Sequence, residues 1–371
     1  MAPDVPVTAD LLIAVDRAAR VADDVLFPRA QDVDRAPLVP ASNLAALRDA
    51  ELFGLQGPTD VGGGLGADHV AARPVFEAVA GGCGATAFVW AQHHGAVRRV
   101  AGGDGPACRT WLPRLCDGST LAGIGFAYLR RPGVAAVRAS RDGDVWRIDG
   151  QAPWITGWGL IQALVVMARV DDGSVVTVVV DRPDEHRALR AGPPQALAAM
   201  GSTGTVALGF DGLEVADGDV VGLQSEEAWR LRDRLGSAMP PAAPLGIAER
   251  AIRLLRESTS QGATDAAAAL AVGLDERRRA ADEVADAVGR ALFDPSDGVV
   301  DEAISHGAAE RDRGLDLARR ATDALVAASG GGAMALSHPA QRLSREATFY
   351  LIQAQTGASR AASLARAVGS A

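Results

Sequence analysis

The chain has 371 residues, 48% hydrophobic and 22% charged, the make-up of a globular protein with enough length for two or three domains and a sizeable core. A formal net charge of −9 argues against nucleic acid as a partner, because phosphate binding calls for a basic surface. No run approaches the roughly 20 apolar residues of a membrane helix, and the first residues lack a basic stretch followed by an apolar one, so a cytoplasmic protein is expected.

The chain opens in helical pattern. VTADLLIAVDRAARVADDVL spaces its apolar residues three and four apart, and SNLAALRDAELFGL follows with Ser42 or Asn43 as cap and Gly54 as stop. GPTDVGGGLG is a glycine-rich loop without the strand and helix flanks of a dinucleotide fingerprint. Helices are expected over 69–81 and 85–100, the second carrying the adjacent pair His93 and His94. Cys83, Cys108 and Cys116 form no C-x-x-C pair and have no histidine at metal spacing. They read as free thiols of a reducing compartment, and no metal site is expected.

From about Ser119 to Gly222 the period changes. TLAGIGFAYL, VAAVRAS, DVWRIDG, IQALVVMARV, SVVTVVVD and TVALGFDGLEV are short, rich in β-branched residues and separated by Gly, Asp and Pro. Turn chemistry stands at Arg141-Asp142-Gly143 and Asp171-Asp172-Gly173. With no helical pattern between them, these segments imply a small antiparallel β-barrel or sandwich. The basic cluster Arg130, Arg131, Arg138 and Arg141 reads as a solvated strand edge. From about Glu226 the pattern is helical again, with breaks near Gly262, Asp294-Pro295, Gly330–Gly332 and Pro339. The expected class is therefore α+β in three domains: N-terminal helices over 1–115, a central β-domain over 116–225 and a C-terminal helical bundle over 226–371.

Several stretches in this order resemble the acyl-CoA dehydrogenase superfamily of flavoproteins. LFGLQGPTDVGGGLG is similar to the family's loop after the second helix, and WLPRLCDGSTLAGIGFAY to its entry into the β-domain. PWITG matches the Trp-Ile-Thr/Ser motif beside the flavin, and MGSTGTVALGFDGLEVADGDVVG resembles the exit from the β-domain. GGGAMALSHPAQRLSREA is similar to the C-terminal glycine-rich segment followed by Arg-Asp-Ala. The resemblance implies a bound flavin, FAD or FMN, with Phe126, Tyr128, Trp154, Thr156, Gly330, Gly331 and Thr356 at cofactor-contacting positions. Trp154 would wall the isoalloxazine ring and Thr156 would supply donors. The plain alternative is that Trp154 fills a β-domain core and Thr156 sits in the turn.

The departures from the family bear on the reaction. A dehydrogenase of this family needs a glutamate to remove an α-proton, within about 3 Å of it. Here that position is Ala354, and the other position used by some members is Gly236. The family's Thr-Glu-Pro stretch is replaced by Phe126-Ala127-Tyr128-Leu129-Arg130-Arg131-Pro132, and the arginine that reaches a neighbouring subunit's FAD falls near Gly262. The superfamily also holds monooxygenases that use reduced flavin and O₂, some with a histidine in the helix entering the pocket. By that likeness His93 and His94 are the candidate catalytic residues, against the plain alternative of one surface and one interface histidine. The resemblance leaves three readings: a dehydrogenase acting on an acyl thioester, a monooxygenase, or a silent subunit of a heteromeric enzyme. It implies a homodimer or homotetramer, a small-molecule or acyl-thioester substrate, and a flavin reductase or electron-transfer partner. Glu346 replaces the family aspartate and is expected to pair with an arginine, and His338 to start a helix.

Overall fold

The computed structural model describes residues 8–131 and 136–369. Helix α1 (Ala9–Arg20) starts at Thr8, whose hydroxyl accepts from Leu11 N, and runs through one π-helical turn, Val21–Leu26, into α2 (Phe27–Arg35). Then come α3 (Ala41–Asp49), α4 (His69–Gly82), α5 (Gly84–Ala101) and α6 (Ala107–Cys116). All three cysteines are buried free thiols.

Eight strands follow: β1 (Ala122–Gly125), β2 (Val137–Asp142), β3 (Val145–Ile155), β4 (Ala163–Arg169), β5 (Val175–Asp181), β6 (Leu189–Ala191), β7 (Val206–Ala216) and β8 (Val220–Gln224). The sheet runs β6-β7-β3-β2-β4-β5-β8, with β1 beside β4. It is mixed, where the sequence pattern implies a wholly antiparallel domain. β1 lies parallel to β4, Ala122 opposite Ala163, because the β2–β3 hairpin and the connection after it form a crossover long enough for a parallel pair. ALVVMAR and VVTVVVD are apolar on both faces and become β4 and β5, covered on both sides. VWRIDGQAPWI alternates and becomes β3, with one face inward.

The chain then returns to helices: α7 (Glu226–Ala238), α8 (Ala242–Arg256), the long pair α9 (Gln261–Phe293) and α10 (Asp297–Ser329), α11 (Pro339–Phe349) and α12 (Gly357–Ala367). The break at Asp294-Pro295 separates α9 from α10, and Gly330 at φ +58° ends α10, a conformation glycine adopts without steric cost. His338 caps α11, its Nδ1 accepting from Ala340 N. One apolar core joins the first helices, the sheet and α8; a second, around Leu235, Val284, Val288 and Val300, fills the far end of α7, α9 and α10. Helices α4 and α8 cross at glycines: a Cβ on Gly246 would stand 2.0 Å from Glu77 O.

Two charge networks fasten these layers. Arg342 and Glu346 are buried together on α11, Nη1 donating to the two carboxylate oxygens at 2.8 and 2.9 Å, while Gly84 N at the start of α5 donates to the same carboxylate at 3.3 Å. The carboxylate thus sits at the positive end of α5, whose own cap, Cys83, offers no side-chain bond. On α9, DERRRAADEVADAV reads as a solvated face, yet two of its arginines turn inward. Arg278 bridges Glu77 and Glu249, and Arg277 pairs with Glu310.

Candidate functional site

The stretch Pro153-Trp154-Ile155-Thr156 closes β3. Against β7, Ala152 pairs with Leu208 and Ile155 with Val206, so β3 carries one residue more than its partner there. Such a bulge re-aims a side chain, and proline, which cannot donate to a ladder, is tolerated in one. The result is an outward tryptophan between buried neighbours: Trp154 is 53% exposed while Ala152 and Ile155 are fully buried. A core-filling role for Trp154 is thereby overturned. Trp158 does serve packing: it is part-buried against the main core, and its backbone N–H donates to Gly204 O at 3.0 Å.

Thr156 is buried and belongs to a chain of hydroxyls. Its Oγ1 lies 3.1 Å from Thr205 Oγ1, which lies 2.8 Å from Thr203 Oγ1, and Thr203 donates to Met200 O at 2.7 Å. Each hydroxyl has one proton, so the direction is fixed. Thr203 spends its proton on Met200 O, Thr205 therefore donates to Thr203, and Thr156 donates to Thr205. The Thr156 hydroxyl is left as an acceptor, so its expected role as hydroxyl donor to a cofactor is not met in this geometry. Gly204, at φ +58°, lets the two segments meet: a Cβ there would stand 2.6 Å from Trp158 O.

The other expected cofactor residues lie on separate elements. Tyr128 is buried, its hydroxyl directed at Met167 O (2.7 Å) and Gly125 O (2.9 Å), and burial pushes its pKa up; it is a strut of the sheet. Phe126 is half-buried beneath the Arg130 guanidinium, 5.2 Å from its ring. Arg130 in turn forms a two-pronged bond with Asp233 of α7, both at 2.8 Å, so this is a docking point and not a free strand edge. Pro132 lies outside the described residues. Gly330 and Gly331 are exposed, with open space where a Cβ would point. Thr356 caps α12 in a capping box with Ser359, which occupies its side chain.

His93 and His94 are both fully buried. His93 Nε2 meets Leu115 O at 3.1 Å and its Nδ1 accepts from Ala122 N at 3.1 Å, so both ring nitrogens are committed, linking α5 to the end of α6 and the start of β1. His94 Nε2 meets Leu52 O at 3.1 Å, and its ring stands edge-on to Trp90 at 4.4 Å. Burial pushes His93 down to about 4 and His94 well below the usual imidazole range, so both are neutral near pH 7. Neither ring is solvent-exposed, and the geometry gives the pair a structural role in place of the expected catalytic one.

Gly236 is exposed on α7, where the nearest acid in sequence, Asp233, is bound by Arg130, and Ala354 sits at φ +51° in the turn Tyr350–Thr356, which contains no acid. Arg311 of α10 holds that turn, its Nη2 donating to Tyr350 O (3.2 Å) and to Gln353 O. The threonine chain and the Arg311 clamp leave no local signal in the sequence: Thr203 ends a 3-10 turn and Gly204 at φ +58° separates it from Thr205, so only the tertiary fold joins these hydroxyls to Thr156. A surface groove of about 360 Å³ lies elsewhere, among α1, α4, α8 and α9, lined by Arg73, Glu77, Arg250 and Arg278 and by none of the expected site residues. Among the described residues no cluster of three metal-ligating side chains occurs, and no helix is long and apolar enough to cross a membrane.

Helices, mixed sheet and helices in this order make the acyl-CoA dehydrogenase fold. The chain superposes on butyryl-CoA dehydrogenase of Megasphaera elsdenii with a TM-score of 0.78 at 18% identity, over 97% of this chain and 98% of that one. Dibenzothiophene monooxygenase of Paenibacillus sp. A11-2 gives 0.77 at 17% identity, over 95% and 96%. Residues 8–119 match the family description "Acyl-CoA dehydrogenase, N-terminal domain". The N-terminal part of the chain thus matches that family's domain, and the whole chain has its fold. Among curated relatives, 3-sulfinopropanoyl-CoA desulfinase of Paraburkholderia xenovorans is 29% identical over 174 residues, 42% of this chain and 41% of that protein. The short-chain specific acyl-CoA dehydrogenase of Homo sapiens is 27% identical over 178 residues, 45% and 41%. The matched part thus spans less than half the length of these two relatives.

Proposed function

We propose that the protein is a flavin-dependent oxidoreductase that carries its flavin against Trp154 and works without the family's α-proton base. The observation that carries this reading is the bulge at the end of β3, which presents a large aromatic face to solvent where the core would otherwise take it. A ring exposed at a built irregularity suits a stacked cofactor, and the open backbone at Gly330 and Gly331 suits close approach by a ligand. The fit is good for the aromatic wall and poorer for side-chain donors, since the hydroxyls of Thr156, Tyr128 and Thr356 are all engaged within the protein. The flavin would supply the electron acceptor, or with O₂ the oxygenating centre; the chain would bind and shield it.

The absence of an acid at Gly236 and Ala354 favours, as a second reading, chemistry that needs no carbanion at an acyl α-carbon: oxygenation by reduced flavin and O₂. An acyl thioester substrate, as the names of the curated relatives suggest, is the first alternative, and a silent partner subunit the second. FAD or FMN, a homo-oligomer and a reductase or electron-transfer partner belong to the same proposal.

The test is spectroscopic. The purified protein is expected to bind flavin, and Trp154→Ala to weaken it about five- to thirteenfold in affinity, as removal of a stacking ring of roughly 1–1.5 kcal/mol predicts. Bleaching by acyl-CoA without oxygen would identify a dehydrogenase; a C4a-adduct with reduced flavin and O₂ would identify a monooxygenase. Failure of the wild-type protein to bind either flavin sinks both.

A further inference from the structure

Helix α12 buries the opposite face from the one its composition suggests. Its single buried residue is Ser359, and Ala362, Ser363 and Arg366 continue that side half-buried, at the i, i+3, i+4, i+7 spacing of one helix stripe. A surface helix ordinarily turns an apolar stripe inward. Here the inner stripe is small and polar, while Leu364 and the cap residue Val368 are turned out, 62% and 76% exposed.

Polar bonds to α10 hold this helix. Arg366 donates to Asp312 from Nε at 2.6 Å and from Nη2 at 3.2 Å, and to Asp316 from Nη1 at 2.8 Å; the Ser363 hydroxyl donates to Asp312 at 2.8 Å. Asp312 follows Arg311 on α10, and the two residues grip opposite sides of one bend. Arg311 holds the carbonyls of Tyr350 and Gln353 before it, and Asp312 holds Ser363 and Arg366 beyond it. Between the grips stands Ala354 at φ +51°, a left-handed conformation that costs any residue with a Cβ some energy. With 11 residues, α12 is also shorter than the roughly 12–15 a helix needs to persist alone in water.

We propose that α12 is a releasable strap, hinged at Ala354 and latched to α10 by the link of Arg366 to Asp312 and Asp316. Salt weakens the latch, because Arg366 and Asp316 are only partly buried and exposed charges are screened. No large apolar side chain on the inner stripe opposes release. The released strap loses its helix and uncovers Asp312, while the Arg311 grip keeps the chain in place up to Gln353, so the opening stops at the hinge. The device is separate from the flavin reading and stands or falls without it.

Hydrogen exchange of the full chain, read by mass spectrometry on peptides from α10, α11 and α12, tests this. The conditions are about 0.1 M and about 1 M sodium chloride, between which the screening length falls from about 10 to about 3 Å. At low salt the α12 amides are expected to be protected but to exchange at least about tenfold faster than those of α10. At high salt they should exchange about three- to tenfold faster again, with α10 and α11 unchanged. Asp312→Asn keeps the bulk and removes the charge; its α12 should exchange at low salt as the wild type does at high salt, and lose most of the salt response. Protection of α12 equal to that of α10, exchange that salt does not alter, or no protection at either salt overturns the proposal. So does an Asp312→Asn variant with the full salt response. Should Asp312→Asn also speed exchange in α10, Arg366→Gln breaks the latch from the strap's side and is read in the same way.

Discussion

Substitution of His93 by Phe tests whether the buried pair is structural. Phenylalanine keeps the bulk and the contact with Phe53, whose ring centroid is 4.8 Å from the imidazole, and deletes two hydrogen bonds. Leu115 O keeps a long bond from Gly118 N at 3.4 Å, so its loss is the net value of one bond, about 1 kcal/mol. Ala122 N is buried and its recorded bond is to His93 Nδ1, so it is orphaned at about 1–3 kcal/mol. The variant should therefore unfold about 2–4 kcal/mol more easily near neutral pH.

The deficit should also depend on pH, with a definite sign. His93 is held near 4 in the folded protein against 6.5 when unfolded, so the unfolded chain binds the extra proton between these values. Wild-type stability tied to this group is complete above about pH 6.5 and is lost as pH falls towards 4, at up to about 1.4 kcal/mol per pH unit. The phenylalanine variant has no such group. Its deficit should shrink by about 2 kcal/mol on moving from neutral pH to about pH 5. Urea unfolding followed by tryptophan fluorescence at the two pH values measures this. A deficit that does not change with pH refutes the reasoning. So does a variant as stable as wild type whose turnover loses a kinetic pKa near 6, which would return His93 to the chemistry.

Three further outcomes follow from local packing. Glu346→Gln leaves the buried Arg342 guanidinium without its counter-charge and should cost about 3–5 kcal/mol in unfolding free energy, measured by urea titration. Gly246→Ala should destabilise by about 3 kcal/mol, although the same change on an open helix gains about 1, because the new Cβ would stand 2.0 Å from Glu77 O at the α4–α8 crossing; an unchanged melting temperature would show that this crossing can open. Gly84→Ala should clash, its Cβ 2.6 Å from Glu346 Cδ, and Glu346→Asp should shorten the side chain away from Gly84 N. The double variant should then be more stable than the sum of the two, by about 1 kcal/mol in a double-mutant cycle.

Much of the fold was legible because it depends on local periodicity. The short β-branched runs at 163–169 and 175–181 are strands as their composition implies, and the breaks at Asp294-Pro295 and Gly330 fall where α9 and α10 end. β6 was not legible: RALRAG has no alternation, and its three residues are held as an edge only by pairing with β7. The parallel partnership of β1 and β4 was hidden for a related reason, since strand neighbours across a crossover leave no trace in either segment.

The site is less legible than the fold for one physical reason: a residue type does not fix which face of its helix or strand a side chain takes. On α5 the buried positions Trp90, His93, His94 and Val97 follow the spacing i, i+3, i+4, i+7, so the histidines continue an apolar stripe; that spacing alone marked them as interior. Neutral imidazoles there satisfy backbone groups where the chain passes from α6 into β1, a task an apolar side chain could not perform. Trp154 is the opposite case. Alternation along β3 would permit an inward ring as readily as an outward one, and the deciding feature, an extra residue at Pro153-Trp154, depends on β7, more than fifty residues away. The same bulge brings Thr156 to Thr205 and spends its proton inside the protein. What remains at the surface is an aromatic face, with the neighbouring Thr156 hydroxyl already engaged. A cofactor bound there would be held chiefly by stacking and backbone groups, which is why loss of the ring, and not of the hydroxyl, is the substitution expected to release it.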